Sequence, residues 1–492
     1  MVTDEISINL KKRNILFFTL VVMFIVLILP SFVRFYDGND ALIGSEPYYH
    51  MRAAGELIKS GSYNLFNPPE HVQDRSYSPR EYFFSPYHYL LVYMSELVSL
   101  VTASRVVPFL LGILAVMLFN LILKKFIDED YKRHIILFLL VANPAFIYTF
   151  TVSNPNSAAI VLSLLGFYLF MKKGKLNLVL CAVCFAAVSL FSLFNTVLVI
   201  LLLLSYIATM KVQQNRFIVI VFLLAIFSLA KRASFYYNYT FTPDVNVAGN
   251  LFSDLGGVIG FGVFSIIIAV YGVASNWKNK NGFLGYFAIS ILLIIALFFV
   301  GNIANMYLMF FVAVAAGVGF VKLYEMQWTV KTVKDLTLLI FVCGLLFSTA
   351  SYLTRLSAME PNIETVDSLK WLGSNAFKDG FVLSHYDNGY LISTIARNPV
   401  LTDSFETSGY DQSFLYKVQD SMFYNRKLTE TKQMFDVYNI RYVYVTPDMK
   451  DGKVWRRPAE GLLHLFTSKS TFKQVYDENG FEVWEVLNTT VS

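Results

Sequence analysis

The chain of 492 residues is 55% apolar and only 15% charged, with a mean hydropathy of +0.52; a soluble protein of this size needs far more polar surface to stay dispersed. The formal net charge is only +5, and the basic residues lie in short tracts between apolar blocks, which argues against nucleic acid as a partner. Cys181, Cys184 and Cys343 all fall inside apolar blocks, so the lone CxxC, without a second ligand pair, reads as helix packing and not as a redox or zinc site.

The apolar blocks have the length that crosses a bilayer as helix. The first, Ile15 to Phe32, follows Lys11, Lys12 and Arg13 and lacks a small-residue cleavage site, so a retained signal anchor with a cytoplasmic amino terminus is expected. Spans are expected at 14–34, 105–123, 134–152, 157–171, 176–191, 193–210, 216–230, 256–275, 283–300, 304–321 and 335–354, about eleven in all. The stretch from Tyr87 to Thr102 is short and carries Glu96, which suggests an interfacial or re-entrant segment. The basic tracts test this order independently, because short cytoplasmic loops concentrate Lys and Arg. Lys124, Lys125, Lys132 and Arg133, then Lys172, Lys173 and Lys175, then Lys211 and Arg216, Lys278 and Lys280, and Lys322, Lys331 and Lys334 all fall in inner segments, whereas the turns near 153–156, 192 and 301–303 hold none. The chain is therefore expected to be a multi-pass cell-membrane protein whose carboxyl-terminal region is extracytoplasmic.

Two domains follow from this pattern. Residues 1–354 form an α-helical polytopic membrane domain with long outer loops at 35–104 and 231–255, where binding and chemistry tend to sit. Residues 355–492 form a small mixed α/β extracytoplasmic domain: Gly380 to Ser384, Tyr442 to Thr446 and Phe472 to Tyr476 have strand character, between helix-like stretches at 363–374 and 409–424.

Asp37, Asp40 and Glu46 open the first long loop, and Asp244 and Asp254 sit in the second. Acids at that depth are either solvated loop residues or hard oxygen ligands for a divalent cation, Mg²⁺ or Mn²⁺, that neutralises a phosphate leaving group. The histidines His50, His71, His88 and His385 are either metal or proton-transfer groups or ordinary hydrogen-bonded loop residues. Asn238-Tyr239-Thr240 and Asn488-Thr489-Thr490 are N-x-[ST] sequons.

The segment Gly44-Ser45-Glu46-Pro47-Tyr48-Tyr49-His50-Met51-Arg52 resembles the D-P-Y/W-Y/F-H/N-x-R signature of oligosaccharyltransferase catalytic subunits, the archaeal and eukaryotic enzymes that transfer a lipid-linked glycan to asparagine. Trp371-Leu372, Val382 to Tyr390, Arg397-Asn398-Pro399 and Thr402-Asp403 follow the order of that family's W-L, V-L-S-W-W-D-Y-G-Y, R-P and D segments. The resemblance implies a GT-C-type membrane glycosyltransferase whose substrates are a polyprenyl-linked sugar donor and a protein or other extracytoplasmic acceptor. It places Glu46 where the family has its first catalytic aspartate, which contacts the metal and the acceptor amide, and offers Asp254 as an inexact counterpart of a second-loop glutamate. His385, Tyr386, Asp387 and Asn388 occupy the acceptor-reading position. Arg52, His50, Asn154 and Asn156 fall on the donor side, and Glu46, Asn154 and Asn156 would be the metal ligands. Arg52 either pairs with Glu46 or binds the lipid phosphate.

The departures lie in the second acidic motif, where Thr151 to Ser157 offers the amides Asn154 and Asn156, and in the late span near Gly301 to Asn305, which has no Arg or Lys. Two other readings stay open: a catalytically degenerate relative that binds lipid-linked glycan or partners a transferase, and a transporter or flippase, which would need ionisable residues inside the spans.

Overall fold

The computed structural model describes residues 12–61, 85–172, 174–210, 247–276, 290–291, 293–295, 302–377, 379–404 and 410–487. The spans expected at 216–230 and over most of 283–300 lie outside the described residues, as do His71, Asp244, both sequons and most of the loop 231–255.

The helices of the first part, in chain order, are α1 (Lys12–Tyr36), α2 (Glu46–Ser60), α3 (Pro86–Ser95), α4 (Leu100–Leu123), α5 (Asp130–Val141), α6 (Pro144–Thr151), α7 (Pro155–Met171), α8 (Lys175–Val188), α9 (Leu193–Met210), α10 (Val263–Ser275), α11 (Asn302–Glu325) and α12 (Lys331–Ser357). Among the described residues four helices are long and apolar enough to cross a membrane, at Phe17–Tyr36, Leu100–Leu123, Asn302–Glu325 and Lys331–Ser357, and α5 with α6 adds a fifth if that bent pair is one span. The shorter apolar helices α7, α8, α10 and part of α9 accompany them. Phe17, Phe24, Leu114, Met117, Leu339 and Phe347 are exposed, as side chains facing hydrocarbon should be.

Helix α11 is the centre of the bundle: 72% of its apolar window is buried inside the protein, against 33–39% for the other three. Its glycines let neighbours close in, as membrane helices do when small residues meet. A Cβ on Gly319 would stand 2.3 Å from the Ile268 carbonyl, and one on Gly272 of α10 would stand 2.0 Å from that of Ala315.

The stretch 134–152 is not one continuous helix. Asn143 caps α6 by accepting the N–H of Ala145 at 2.9 Å, Pro144 takes the first helical position, and α5 and α6 meet at 66°. Asn-Pro is a helix start, because the amide oxygen satisfies an orphan N–H and proline's fixed φ suits the first turn. The same pair recurs at Asn154-Pro155, which opens α7.

The tail contains α13 (Ile363–Asn375), β1 (Phe381–Leu383), α14 (Tyr410–Tyr424), α15 (Leu428–Val437), β2 (Ile440–Val445), β3 (Phe472–Glu478) and β4 (Phe481–Val486). The strands form one sheet in the order β1-β2-β4-β3, with β1 parallel to β2 and the other pairs antiparallel. Its two faces serve different cores. Val443, Val445 and Val486 join Phe423, Phe435 and Trp455 on one side. Tyr442, Tyr444 and Val483 join Leu369, Leu372 and Tyr390 on the other, and there the cluster also takes in Leu42, Tyr48 and Tyr49 from the first long loop. The strands expected at 380–384, 442–446 and 472–476 are present; β4 and α15 were not foreseen.

Polar bonds fasten that loop to the junction between α12 and α13. Arg34, at the end of α1 and 3% exposed, donates to the carbonyls of Ser357, Met359 and Pro361. Asn39 also donates to Pro361 O at 3.1 Å, and the Gly44 N–H reaches Glu360 O at 2.8 Å.

Candidate active site

Helix α2 starts at Glu46 because Gly44, at φ +82, turns the chain and Pro47 takes the first turn, where its missing N–H costs nothing. It stops at Gly61, whose left-handed φ of +63 lets its N–H close on Ile58 O. This sets Glu46 at the rim, its side chain 46% exposed, with Nε2 of the buried His50 3.5 Å from Oε1 one turn later. His50 Nδ1 in turn stands 2.9 Å from Nε2 of His88 on α3; both rings lie against Tyr49, and His50 also lies against Tyr87. The expected interfacial segment thus folds as a short helix whose Tyr87, His88 and Leu91 are almost wholly buried.

Tyr87 carries the site to the next element. Its hydroxyl meets Ser153 Oγ at 2.7 Å, in the turn between α6 and α7, and burial raises its pKa so that it stays a neutral phenol. Ile43, Pro47, Arg105, Thr151, Val152 and Ser153 line a small cleft next to Glu46. The Glu46 segment and the 153–156 turn, far apart in the chain, are therefore neighbours.

The amides in that turn have other work. Asn154 is fully buried; its Oδ1 accepts the Ser157 N–H at 3.2 Å and its Nδ2 donates to Val152 O at 3.1 Å. Asn156 Oδ1 accepts from Asn195 Nδ2 at 2.8 Å, whose own oxygen accepts from Tyr307 at 3.0 Å. A hard divalent cation wants six or more oxygens, several of them charged. Among the described residues no group of three or more His, Cys, Asp or Glu could hold a metal. The oxygens of Asn154 and Asn156 each already accept a hydrogen bond and carry no charge, so with Glu46 as the one carboxylate these residues are a poor fit to Mg²⁺ or Mn²⁺.

Asp254 turns to neighbouring helices: Oδ2 accepts the Val263 N–H at 2.7 Å, capping α10, and Oδ1 accepts from Ser348 Oγ of α12 at 2.7 Å. Arg355 and Tyr352 of α12 hold the same loop through the carbonyls of Ser253 and Val258, each at 2.6 Å. This geometry gives Asp254 a structural task, and the carboxylate of the motif is Glu46. Arg52 lies half-buried on α2.

In the tail, the motif residues follow β1. Gly389 is required there: a Cβ would stand 2.5 Å from Thr402 O and 2.4 Å from Asp403 Cβ. Asp387 Oδ2 pairs with Lys453 Nζ at 2.7 Å and lies 3.4 Å from His385 Nδ1. Burial lowers the pKa of His385, Asp387 raises it and Lys453 lowers it further. The Tyr386 ring packs at a tilt against His385, with centroids 4.0 Å apart, and against Tyr416, 5.0 Å apart, while Asn388 donates to Ser384 Oγ at 3.0 Å. Lys453 and Tyr416 are members that sequence reading did not name, and His88 was named only among the candidate histidines. His88 follows a Ser-Pro helix start, which was legible; Lys453 is brought in only by the fold after β2.

The two motif segments touch. Tyr49 and Tyr390 lie with ring centroids 5.3 Å apart, and Thr394 Oγ1 donates to the Tyr48 carbonyl at 3.3 Å. These contacts set α2, which carries Glu46 and His50, against the segment that directly follows Asp387 in the tail.

No protein-family model matches the chain. The archaeal oligosaccharyltransferase AglB from Archaeoglobus fulgidus, in complex with an inhibitory peptide and a dolichol-phosphate, superposes with a TM-score of 0.63 at 13% identity over 96% of this chain and 75% of that one. ArnT from Cupriavidus metallidurans bound to undecaprenyl phosphate does so with a TM-score of 0.58 at 12% identity, over 96% and 98%. The architecture is the GT-C fold of these membrane glycosyltransferases, and this chain is a multi-pass membrane protein of that fold. A dolichyl-phosphooligosaccharide-protein glycotransferase 2 of Pyrococcus furiosus is 34% identical over 102 residues, 20% of this chain; the match spans 14% of that relative's length.

Proposed function

We propose that this chain is a membrane glycosyltransferase that moves a sugar or glycan from a polyprenyl-phosphate or -pyrophosphate carrier to an acceptor, protein asparagine among the candidates, on the extracytoplasmic face. The observation that carries the reading is the meeting of α2 with residues 385–391 through Tyr49 and Tyr390. Each segment resembles one half of an oligosaccharyltransferase site, and the fold joins them. Glu46 supplies the carboxylate that polarises the acceptor, Arg52 on the same helix supplies positive charge for the carrier phosphate, and His385 to Asn388 with Lys453 read the acceptor. The dolichol-phosphate and undecaprenyl phosphate in the neighbouring structures support a lipid-linked donor. The alternation of Lys and Arg along the chain supports a cytoplasmic amino terminus and an extracytoplasmic tail. Tail residues 355–492 are, in this reading, a domain whose second core is completed by the first long loop.

The committed amides of Asn154 and Asn156 favour a second reading, a degenerate relative that binds lipid-linked glycan without transferring it. Purified full-length protein in proteoliposomes, given a native polyprenyl-linked glycan extract and peptide acceptors, separates the two. Glycosylated peptide detected by mass spectrometry supports transfer. Saturable binding of the lipid-linked glycan with no product, across several donors and acceptors, supports the degenerate relative.

A further inference from the structure

The hydrogen-bond directions at His88 dictate where a proton sits beside Glu46. The Ser85 N–H donates to His88 Nδ1 at 3.1 Å, so that nitrogen is an acceptor. His88 is 1% exposed, and burial, then the neighbouring His50, hold its pKa well below the ordinary imidazole value, so the ring is neutral. A neutral imidazole carries one proton. With Nδ1 accepting, that proton is on Nε2 and points at His50 Nδ1, 2.9 Å away. His50 Nδ1 must then accept, which leaves the His50 proton on Nε2. That nitrogen is buried and has no hydrogen-bond partner among the described residues; Glu46 Oε1 stands 3.5 Å from it, near enough to attract it but not bonded to it. A buried N–H without an acceptor is rare in folded proteins and marks a place where a ligand completes the bond.

We propose that His88 is a positioning residue that fixes His50 as an Nε2–H donor beside the Glu46 carboxylate, making the two side chains a donor–acceptor pair for the nucleophile-bearing group of the acceptor. A carboxamide or a hydroxyl donates one hydrogen bond and accepts another, which matches this pair. A phosphate offers chiefly acceptors and would meet the charge of Glu46. The inference rests on Glu46 being the carboxylate of the proposed site, yet the tautomer can be read without turnover.

The test uses full-length protein labelled with ¹⁵N-histidine in nanodiscs at neutral pH, where protonated and bare ring nitrogens resonate apart. Only six histidines are present, and His50 is assigned from the spectrum of His50→Gln. The expected result is Nε2–H at His50. His88→Glu, which can only accept, should turn His50 to a ring protonated on Nδ1 and lower kcat/KM for transfer to an asparagine or a serine peptide by about ten- to a hundredfold, the size of effect that supporting residues usually have. His88→Gln, whose amide can still donate, should keep both the tautomer and most of the activity. Unchanged signals from the other histidines show that the variants fold. A His50 ring protonated on Nδ1 in the unmodified protein, or one that His88→Glu leaves unchanged, overturns the proposal. So does transfer unaffected by His88→Glu when Glu46→Gln abolishes it. If transfer is absent even from the unmodified protein, the proposed function fails, while the spectra still decide the tautomer. Of the two peptides, the one that loses transfer in His88→Glu identifies whether a carboxamide or a hydroxyl fills the pair.

Discussion

The two halves of the proposed site are held by opposite means. Around α2 the functional groups are almost dry: His50 and His88 are buried among Tyr49 and Tyr87, and only Glu46 reaches the rim. In the tail, Asp387 is 42% exposed and its partner Lys453 35%, so water screens their charges. The contrast teaches where a small chemical change is expensive. In the dry half the location of a single proton matters, because an unmet donor cannot turn to solvent. In the wet half, charge steers and orients at modest cost.

The sharpest break of this comparison is charge removal in the dry half. Glu46→Gln keeps volume and hydrogen bonding but removes the carboxylate, and kcat/KM should fall about a hundredfold or more. Asp37→Asn should leave it unchanged, since Asp37 is exposed. Asp40→Asn loses an exposed pair with Arg105 at 2.9 Å, which is worth about 0.2–1 kcal/mol, and should also be tolerated. Equal losses in all three variants would mean that Glu46 is one more loop acid.

In the wet half, Asp387→Asn and Lys453→Met should raise KM for the acceptor by about tenfold with little change in kcat, as expected when positioning charges are lost. Raising salt should shrink the difference between them and the unmodified protein. Salt-independent losses in kcat would place this pair in the chemistry instead.

The same contrast sets the pH dependence. His88 and His385 both have folded pKa values below the ordinary 6.5. As pH falls below 6.5 the unfolded chain takes up protons first, so the stability present above that value is progressively lost. Tryptophan-fluorescence melts should show Tm falling between about pH 7 and about pH 5, and His88→Gln should flatten the slope more than His385→Gln, because His88 is the more buried. The reverse order would contradict the dry and wet assignment.

Much of the architecture was legible because the bilayer and the β-sheet each impose a period. The apolar blocks at 105–123 and 335–354, and the run Tyr442, Val443, Tyr444 and Val445, announce their elements. What misled was local chemistry. Asn143-Pro144 bends an apolar run that reads as one straight helix, and Asn154, read with Asn156 as a ligand, caps α7; the Asn-Pro signature was readable in both places. β4 hid because Glu482 and Glu485 interrupt its apolar residues. Lys453 was out of reach of any local pattern, since only the path of the chain after β2 brings it to Asp387.

The central claim is that the two motif segments act as one site, and a double-mutant cycle between Tyr49 and Tyr390 tests it most directly. Transfer kinetics would be measured for Tyr49→Ala, Tyr390→Ala and the double variant in proteoliposomes. The account predicts that each single change lowers kcat/KM and that their effects are not additive, with a coupling of about 0.5–1.5 kcal/mol, the usual size for an aromatic pair in contact. Strict additivity, or transfer indifferent to both changes, would contradict it.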